Sequence, residues 1–252
     1  MNILEYITQF ITNLVRYFIL AGIPFLIFYK LYPSTFSKSK IQLRLAKKKD
    51  IVREILHSVQ TTFIAVIIGL VILKSPLKEY TLFYSSISDF SIWWFPTNIV
   101  LALIVHDTYF YWMHRTIHNP KLYKKVHFTH HKSINPTPWA SYSFHFIEAV
   151  LESMFVVIIL FFIPMSKISL LLFSLFAFSI NVYGHLGYEI APKWFRNCFL
   201  FEFINSSVYH NMHHSKFIGN YGLYFRFWDR LMKTEHPDYV KEYDKIQNKR
   251  FH

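Results

Sequence analysis

Long apolar runs constrain the fold of this chain more than any other feature. They lie at about residues 7–29, 57–73, 90–113, 149–163 and 168–183. A helix that crosses a bilayer needs roughly 20 mainly apolar residues, a length that the first and third runs meet and the second only approaches. The last two runs are short, so they form either two short spans or a re-entrant helical hairpin. Together the runs predict an all-α, multi-pass membrane protein.

Charge predicts the orientation of these spans. The formal net charge is +12, which suits either nucleic acid or anionic lipid as a partner. Because the basic residues lie between apolar runs, lipid is favoured and we expect no nucleic acid partner. The loop SKSKIQLRLAKK at 37–48 holds five basic residues and no acidic one, which predicts a cytosolic loop. Alternating the runs then places residues 114–148 and 185–252 on the cytosolic side as well.

Most of the 14 histidines lie in or beside those two cytosolic segments. His114 and His118 form an H-x-x-x-H pair, and the pattern H-x-x-H-H occurs twice, at 127–131 and at 210–214. Residues at i, i+3 and i+4 share one face of a helix. Each pattern therefore presents two or three imidazoles together, and we expect the cytosolic helical cap of the protein to hold them.

Gathered imidazoles indicate a metal site. They would repel one another if protonated and would be costly to bury without partners, whereas neutral imidazole is a common metal ligand. Eight or more are too many for one tetrahedral ion, so the sequence predicts two ions. With one cysteine and no H-E-x-x-H motif, the chain lacks the patterns of structural zinc sites and zinc proteases. Imidazole suits iron, zinc, copper and nickel alike, which leaves the metal open.

Four sequence blocks accompany these histidines. They are HD at 106–107, YWMHR at 111–115, PTPWAS at 136–141 and NYGLY at 220–224. With the histidine patterns, they resemble the sterol desaturase and fatty acid hydroxylase superfamily of membrane di-iron oxidases, over roughly residues 97–235. The last two blocks are similar to the sterol C5-desaturase branch in particular.

The resemblance implies a ligand set. Its metal ligands map onto His114, His118, His127, His130, His131, His210, His213 and His214. His185 occupies the place of a further family histidine, and His106 and His145 match histidines that the family places near the metals.

Three polar residues are candidates for supporting the ligands. Asp107 either hydrogen-bonds a ligand imidazole or makes a polar contact at a helix end. Arg115 either pairs with Glu148 or Asp229, which would lock the cluster, or contacts lipid at the interface. No catalytic residue beyond the metal ligands is expected.

The resemblance also implies an activity. It is that of a non-haem di-iron oxidoreductase that uses O2 and external electrons to hydroxylate or desaturate an unactivated C–H position of a lipid, with zinc as a substitute metal in purified protein. Because the chain contains no haem domain of its own, the donor is expected to be a separate cytochrome b5-like protein, ferredoxin or NAD(P)H reductase. A histidine-rich membrane metal transporter or metal-binding protein is the competing interpretation. The expected location is the bacterial inner membrane or the endoplasmic reticulum, with the metal site on the cytosolic face.

Three regions are predicted along the chain. Residues 1–96 form an N-terminal membrane region with two helices and a basic cytosolic loop. Residues 97–235 form the catalytic domain, and residues 236–252 form a charged C-terminal tail. The substrate stays open among sterols, fatty acyl chains, sphingolipids and related lipids.

Overall fold

A computed structural model describes residues 3–251 of the chain. Residues 1 and 2 of the predicted N-terminal region and residue 252 of the predicted tail lie outside the described residues. The described chain is mainly helical, which confirms the predicted all-α class. The α-helices are, in chain order, α1 (Ile3–Phe25), α2 (Lys48–Lys74), α3 (Trp94–Ile117), α4 (Pro120–Val126), α5 (Phe128–His131), α6 (Phe146–Phe162), α7 (Lys167–Gly184), α8 (Ser207–Lys216), α9 (Phe227–Leu231) and α10 (Tyr239–Phe251).

Short elements complete the chain. A π-helical turn, Leu26–Leu31, extends α1, and two-residue strands lie at Phe83–Tyr84 (β1) and Met165–Ser166 (β2). Turns of 3-10 helix lie at Ser37–Ser39, Pro76–Tyr80, Ile87–Asp89, Pro138–Tyr142, Lys193–Asn197 and Phe199–Glu202.

Three of the described helices are long and apolar enough to cross a bilayer. They are Ile3–Leu31, Lys48–Lys74 and Lys167–Gly184. Only 17% of the apolar stretch of the first is buried inside the protein, so most of its apolar side chains face outward, as lipid would require. Helix α3 has the length, with 24 residues, but His106 and Asp107 interrupt its apolar stretch and it is not among these three.

The α6–α7 hairpin runs the full height of the bundle. Its turn contains β2, which pairs in parallel with β1, from the connection between α2 and α3. The indole N–H of Trp94, at the start of α3, donates to the Pro164 carbonyl in the same turn, 3.1 Å away. The turn therefore lies at the level of the α2–α3 connection, at the end of the bundle opposite the histidines.

Helix α3 is the centre of the bundle and packs against both α6 and α7, while α2 packs against α1 and α6. Fully buried residues such as Ala102, Leu160 and Phe173 belong to this interface. Because lipid tails are as apolar as these side chains, close van der Waals packing rather than the hydrophobic effect holds such helices together. The packing brings the end of α3 and the start of α6 to one end of the bundle, where the histidines lie.

The C-terminal segment, predicted as a separate charged tail, is largely the helix α10 and packs on α8. Tyr239, Tyr243 and Ile246 form one stripe of this helix and are buried in a cluster with Phe201 and Tyr209. The i, i+4, i+7 spacing of these apolar residues accounts for the helix. Because charged residues surround them in the sequence, the composition of this segment did not reveal the apolar stripe.

We expect the substitution Tyr243→Ala to destabilise the cap. The Tyr243 ring is fully buried and its centroid lies 4.7 Å from that of Phe201. Loss of a buried aromatic ring costs about 3–5 kcal/mol of unfolding free energy. Thermal unfolding of the purified protein measures the change, and Lys241→Ala on the exposed side of α10 is the matched control. Equal melting temperatures for the two variants would show that α10 contributes nothing to the cap.

Candidate metal centre

The end of α3 and the first H-x-x-H-H pattern face each other across a short turn. His114 lies in the last turn of α3, and His118 is the residue that ends the helix. The Asn119 side chain accepts a hydrogen bond from the Lys121 N–H, 3.0 Å away, and so starts α4. Helix α4 ends at His127, whose Nε2 lies 3.0 Å from Nε2 of His114.

Nine of the eleven predicted histidines form two neighbouring groups. Within each group, the candidate ligand nitrogens all lie within 4.8 Å of one another. Group A contains His114, His118, His127, His131 and His213. Group B contains His130, His185, His210 and His214.

Both H-x-x-H-H patterns contribute to both groups. In each pattern the adjacent pair divides, since His130 belongs to group B and His131 to group A, while His213 belongs to group A and His214 to group B. Consecutive helical residues point about 100° apart because a turn holds 3.6 residues. The two groups are therefore adjacent, and the ring centroids of His131 and His214 lie 4.8 Å apart.

Within each group the Nε2 atoms point toward one another. In group A, His131 Nε2 lies 3.2 Å from His118 Nε2 and 3.0 Å from His213 Nε2. In group B, His185 Nε2 lies 3.1 Å from His210 Nε2 and 3.3 Å from His214 Nε2. Imidazole nitrogens bound about 2.0–2.1 Å from one ion, at angles near 90–110°, would lie about 2.9–3.4 Å apart. Both groups thus fit a transition-metal ion.

The opposite ring nitrogen, Nδ1, is held by acceptors. Nδ1 of His114 donates to the Tyr221 carbonyl (2.9 Å), and Nδ1 of His213 donates to the Gly219 carbonyl (2.7 Å). In the same way, Nδ1 of His185 donates to the Asn181 carbonyl (2.8 Å) and Nδ1 of His130 to the Ser143 carbonyl (3.3 Å). A carbonyl can only accept, so each of these rings carries its proton on Nδ1. Each Nε2 lone pair is then free to bind a metal, and each ring is fixed in orientation.

Glu148 holds the fifth such ring. This residue is buried in the first turn of α6, and its Oε1 accepts from His127 Nδ1 at 2.5 Å. A carboxylate in this place raises the basicity of a ligand imidazole. The sequence suggested Glu148 only as a partner for Arg115. An acidic residue at the start of an otherwise apolar helix was the signal for a functional role.

The loop after α8 supplies two of the carbonyls. Phe217, Gly219 and Asn220 adopt positive φ angles of 65°, 77° and 55°. A side chain at Gly219 would also place its Cβ 2.5 Å from the Thr234 carbonyl oxygen. This tight path turns the Gly219 carbonyl toward group A.

Two of the predicted supporting residues, Asp107 and Asp229, act on this loop rather than on an imidazole. Asp229 accepts from the backbone N–H groups of Tyr221 (3.0 Å) and Gly222 (2.7 Å). Asp107 accepts from those of Leu223, Tyr224 and Phe225, at 3.1, 2.7 and 3.3 Å. Together the two carboxylates secure residues 221–225 against α3.

Arg115, the third predicted supporting residue, lies away from both carboxylates suggested for it. It donates to the Tyr111 hydroxyl at 3.2 Å and lies over the Trp112 ring, 5.8 Å from the centroid. Tyr111 and Trp112 are neighbours on the same helix, so Arg115 contributes to the surface of α3 rather than to the cluster.

His106 and His145 lie outside both groups. His106 precedes His114 by two helical turns, which is about 12 Å at 1.5 Å per residue, and its Nδ1 hydrogen-bonds the Tyr224 hydroxyl at 2.7 Å. His145 is the residue before α6, and its Nδ1 accepts from the Ile147 N–H at 3.3 Å. The resemblance placed both near the metals, but a motif match gives no position along the bundle axis.

Helix α2 secures the segment after the first histidine pattern. Glu54 is fully buried and accepts from the hydroxyls of Ser133, at 2.7 Å, and Thr137, at 2.6 Å. Arg53 donates to the same Ser133 oxygen at 3.0 Å. The predicted N-terminal region thus contributes directly to the position of His130 and His131, which the sequence did not indicate.

Burial keeps these imidazoles neutral. Eight of the nine are buried, and His118 is half-buried. Burial lowers the pKa of His213 and of His185 to about 4. Burial, followed by neighbouring histidine charges, lowers the pKa of His130 and His131 well below the usual range. At neutral pH the rings are therefore in the form that binds metals.

The sequence matches a known family over this region. A model of the fatty acid hydroxylase family matches residues 99–234. A Delta(7)-sterol 5(6)-desaturase of Gibberella zeae is 35% identical over 181 residues, which cover 70% of this chain and 54% of that protein. The lathosterol oxidase of Rattus norvegicus is 32% identical over 230 residues, which cover 90% of this chain and 74% of that protein. The chain thus spans about half of the first relative and about three quarters of the second. No solved structure matches significantly.

Group membership predicts the effect of single substitutions on metal content. We expect the wild-type protein to bind two metal ions, and His131→Ala or His185→Ala to retain about one, because each removes a ligand at the centre of one group. Elemental analysis of purified protein measures the content. His145→Ala, outside both groups, is the control and should retain two ions; a loss equal to that of the other variants would contradict the assignment.

We expect Glu148→Gln to weaken metal binding without unfolding the protein. The amide keeps the size of the side chain but not the charge that supports His127, and loss of such a partner costs about 10–100-fold in metal affinity. Competition with a chelator measures this affinity. Glu152→Gln, one helical turn further along α6, is the matched control. Equal metal affinities for the two variants would show that Glu148 does not support metal binding.

Proposed function

Because the chain belongs to the fatty acid hydroxylase family, in its sterol desaturase branch, we propose that it is an oxygen-dependent lipid oxidoreductase. The observation that carries the proposal is the pair of adjacent, buried groups of imidazole Nε2 atoms. An all-imidazole site of this size suits redox metals, and the surrounding helices are apolar enough to meet a lipid substrate. The reaction is hydroxylation or desaturation of an unactivated C–H position.

Two non-haem iron ions are the proposed cofactors, one in each group. His114, His118, His127, His131 and His213 would hold the first, and His130, His185, His210 and His214 the second. When bound, the irons supply the activation of O2 and the oxidation of the C–H bond. Zinc fits the same nitrogen ligands and is a substitute metal in purified protein.

The chain itself orients the ligands and excludes water. Backbone carbonyls and Glu148 fix the imidazole rings, so little reorganisation is needed when the metal charge changes. The face of α3 that carries His114 continues through Phe110 to His106, whose ring stacks on Phe155 at 3.9 Å. These rings are packed in the core of the bundle beside the metal groups, and the bilayer is the proposed source of the substrate.

A Δ7-sterol is the proposed substrate. The similar proteins from Gibberella zeae and Rattus norvegicus are named a Delta(7)-sterol 5(6)-desaturase and a lathosterol oxidase. By analogy, the proposed reaction removes two hydrogens from the 5 and 6 positions of the sterol and forms a double bond.

The proposed location is the endoplasmic reticulum, or the inner membrane if the chain is bacterial, with the metal groups on the cytosolic side. The basic loop between α1 and α2 supports this orientation, since it lies at the same end of the bundle as the histidines. The electrons would come from a cytochrome b5-like protein, a ferredoxin or an NAD(P)H reductase. A metal transporter would place ligands near the bilayer midplane, whereas these lie at one end.

Sterol mass spectrometry tests the proposal. Purified, iron-loaded protein is incubated with O2, a chemical reductant and a Δ7-sterol, and the expected product is lighter by two hydrogens. His131→Ala/His185→Ala is the inactive control, and His145→Ala is the matched active one. A product heavier by one oxygen would assign hydroxylation instead. Conversion of a fatty acyl, sphingolipid, alkylglycerol or carotenoid lipid, but no sterol, would contradict the substrate assignment.

A further inference from the structure

One histidine of the metal groups is closer to solvent than the rest. His118 is half-buried, whereas the other eight are buried. It follows the last residue of α3, and its Nε2 faces that of His131 at 3.2 Å. His118 is therefore the edge of group A that lies nearest the protein surface.

Helix α4 lies directly over this edge. It begins at Pro120, and the inward ring of its Tyr123 lies 5.4, 6.1 and 5.7 Å from the rings of His118, His127 and His131. The helix is short, and a group A histidine lies near each of its ends, His118 before it and His127 after it. A partner that binds the outer side of α4 is thus separated from group A by one layer of side chains.

The outer side of α4 carries a concentration of positive charge. Lys121, Lys124 and Lys125 are all exposed, and their i, i+3, i+4 spacing puts them on one face, the α4 lysine face. The chain has no acidic residue at 108–147 or at 203–228, the two segments that build group A. None of the three lysines forms an ion pair within residues 3–251. Like charges at this spacing destabilise a helix, so folding alone does not favour them.

We propose that the α4 lysine face docks an acidic one-electron carrier protein and that electrons enter group A at His118. The inference rests on the proposed function, which requires an external donor. Uncompensated lysines complement an acidic partner and speed its diffusional encounter. The exposed Leu122 beside them provides the apolar contact that protein interfaces combine with a charged rim. Anionic lipid would use the same charge but has no requirement for proximity to His118.

The electron balance of the reaction sets how many carrier proteins dock on the α4 lysine face in each catalytic cycle. Desaturation consumes one O2, two electrons and two protons together with two hydrogens of the lipid, and it yields two water molecules. Hydroxylation consumes the same reductant and yields one alcohol and one water molecule. Two reduced carriers therefore dock in turn on each catalytic cycle, and each leaves oxidised by one electron.

The test is charge reversal of the α4 lysine face, Lys121→Glu/Lys124→Glu/Lys125→Glu. The matched control, Lys241→Glu/Lys245→Glu/Lys249→Glu, makes the same charge change on exposed residues of α10. Product formation is measured in neutral phosphatidylcholine nanodiscs with increasing amounts of a reduced cytochrome b5 haem domain as the acidic carrier. A second assay reduces the protein with dithionite and follows one turnover after O2 is added.

We expect the α4 variant to raise the KM for the carrier about tenfold or more at low salt, and to react normally with dithionite. The α10 control should match the wild type in both assays. An unchanged carrier KM in the α4 variant, or an equal rise in the control, overturns the docking proposal. So does a defect that appears only when phosphatidylserine is added, since this assigns the lysines to lipid. Wild-type protein that forms no product with dithionite overturns the proposed function, and the docking proposal with it.

Discussion

The gathering of nine neutral imidazoles, eight of them buried, with their Nε2 atoms facing one another is the interaction on which the rest of the structure depends. Nitrogen lone pairs 3.0–3.3 Å apart repel, and protonation would replace that repulsion with charge in a buried space. A metal ion converts the repulsion into attraction. The surrounding structure holds the rings ready for it, through carbonyls on Nδ1, through Glu148, and through the carboxylates that secure residues 221–225.

The site needs contributions from distant parts of the chain, which explains the architecture. Group B joins the end of α7 to α8 and α5, while group A joins α3 to α4, α5 and α8. The α6–α7 hairpin crosses the bundle and returns, so His185 arrives beside His130 although 55 residues separate them. Helix α2 contributes Glu54, and α10 supports α8 from outside. The N- and C-terminal regions are thus structural partners of the site as well as flanking regions.

The sequence predicted the helical fold and the gathering of nine histidines, because hydropathy and the i, i+3, i+4 spacing are local properties. It did not predict how His130 and His131 divide between two groups, since that depends on how α5 and α8 meet. The contact partners of Asp107, Glu54 and Glu148 could not be predicted for the same reason, because each contacts a segment far along the chain. His106 shows the opposite error, because a motif match ignores the distance along a helix.

Anomalous X-ray diffraction at the iron absorption edge tests the central claim most directly. Crystals of protein that has been loaded with iron under anaerobic conditions should show two separate anomalous peaks for each chain. One peak should lie among the Nε2 atoms of group A and the other among those of group B, each within coordination distance of its imidazoles. A single peak, or iron bound beside His106 or His145, would contradict the account.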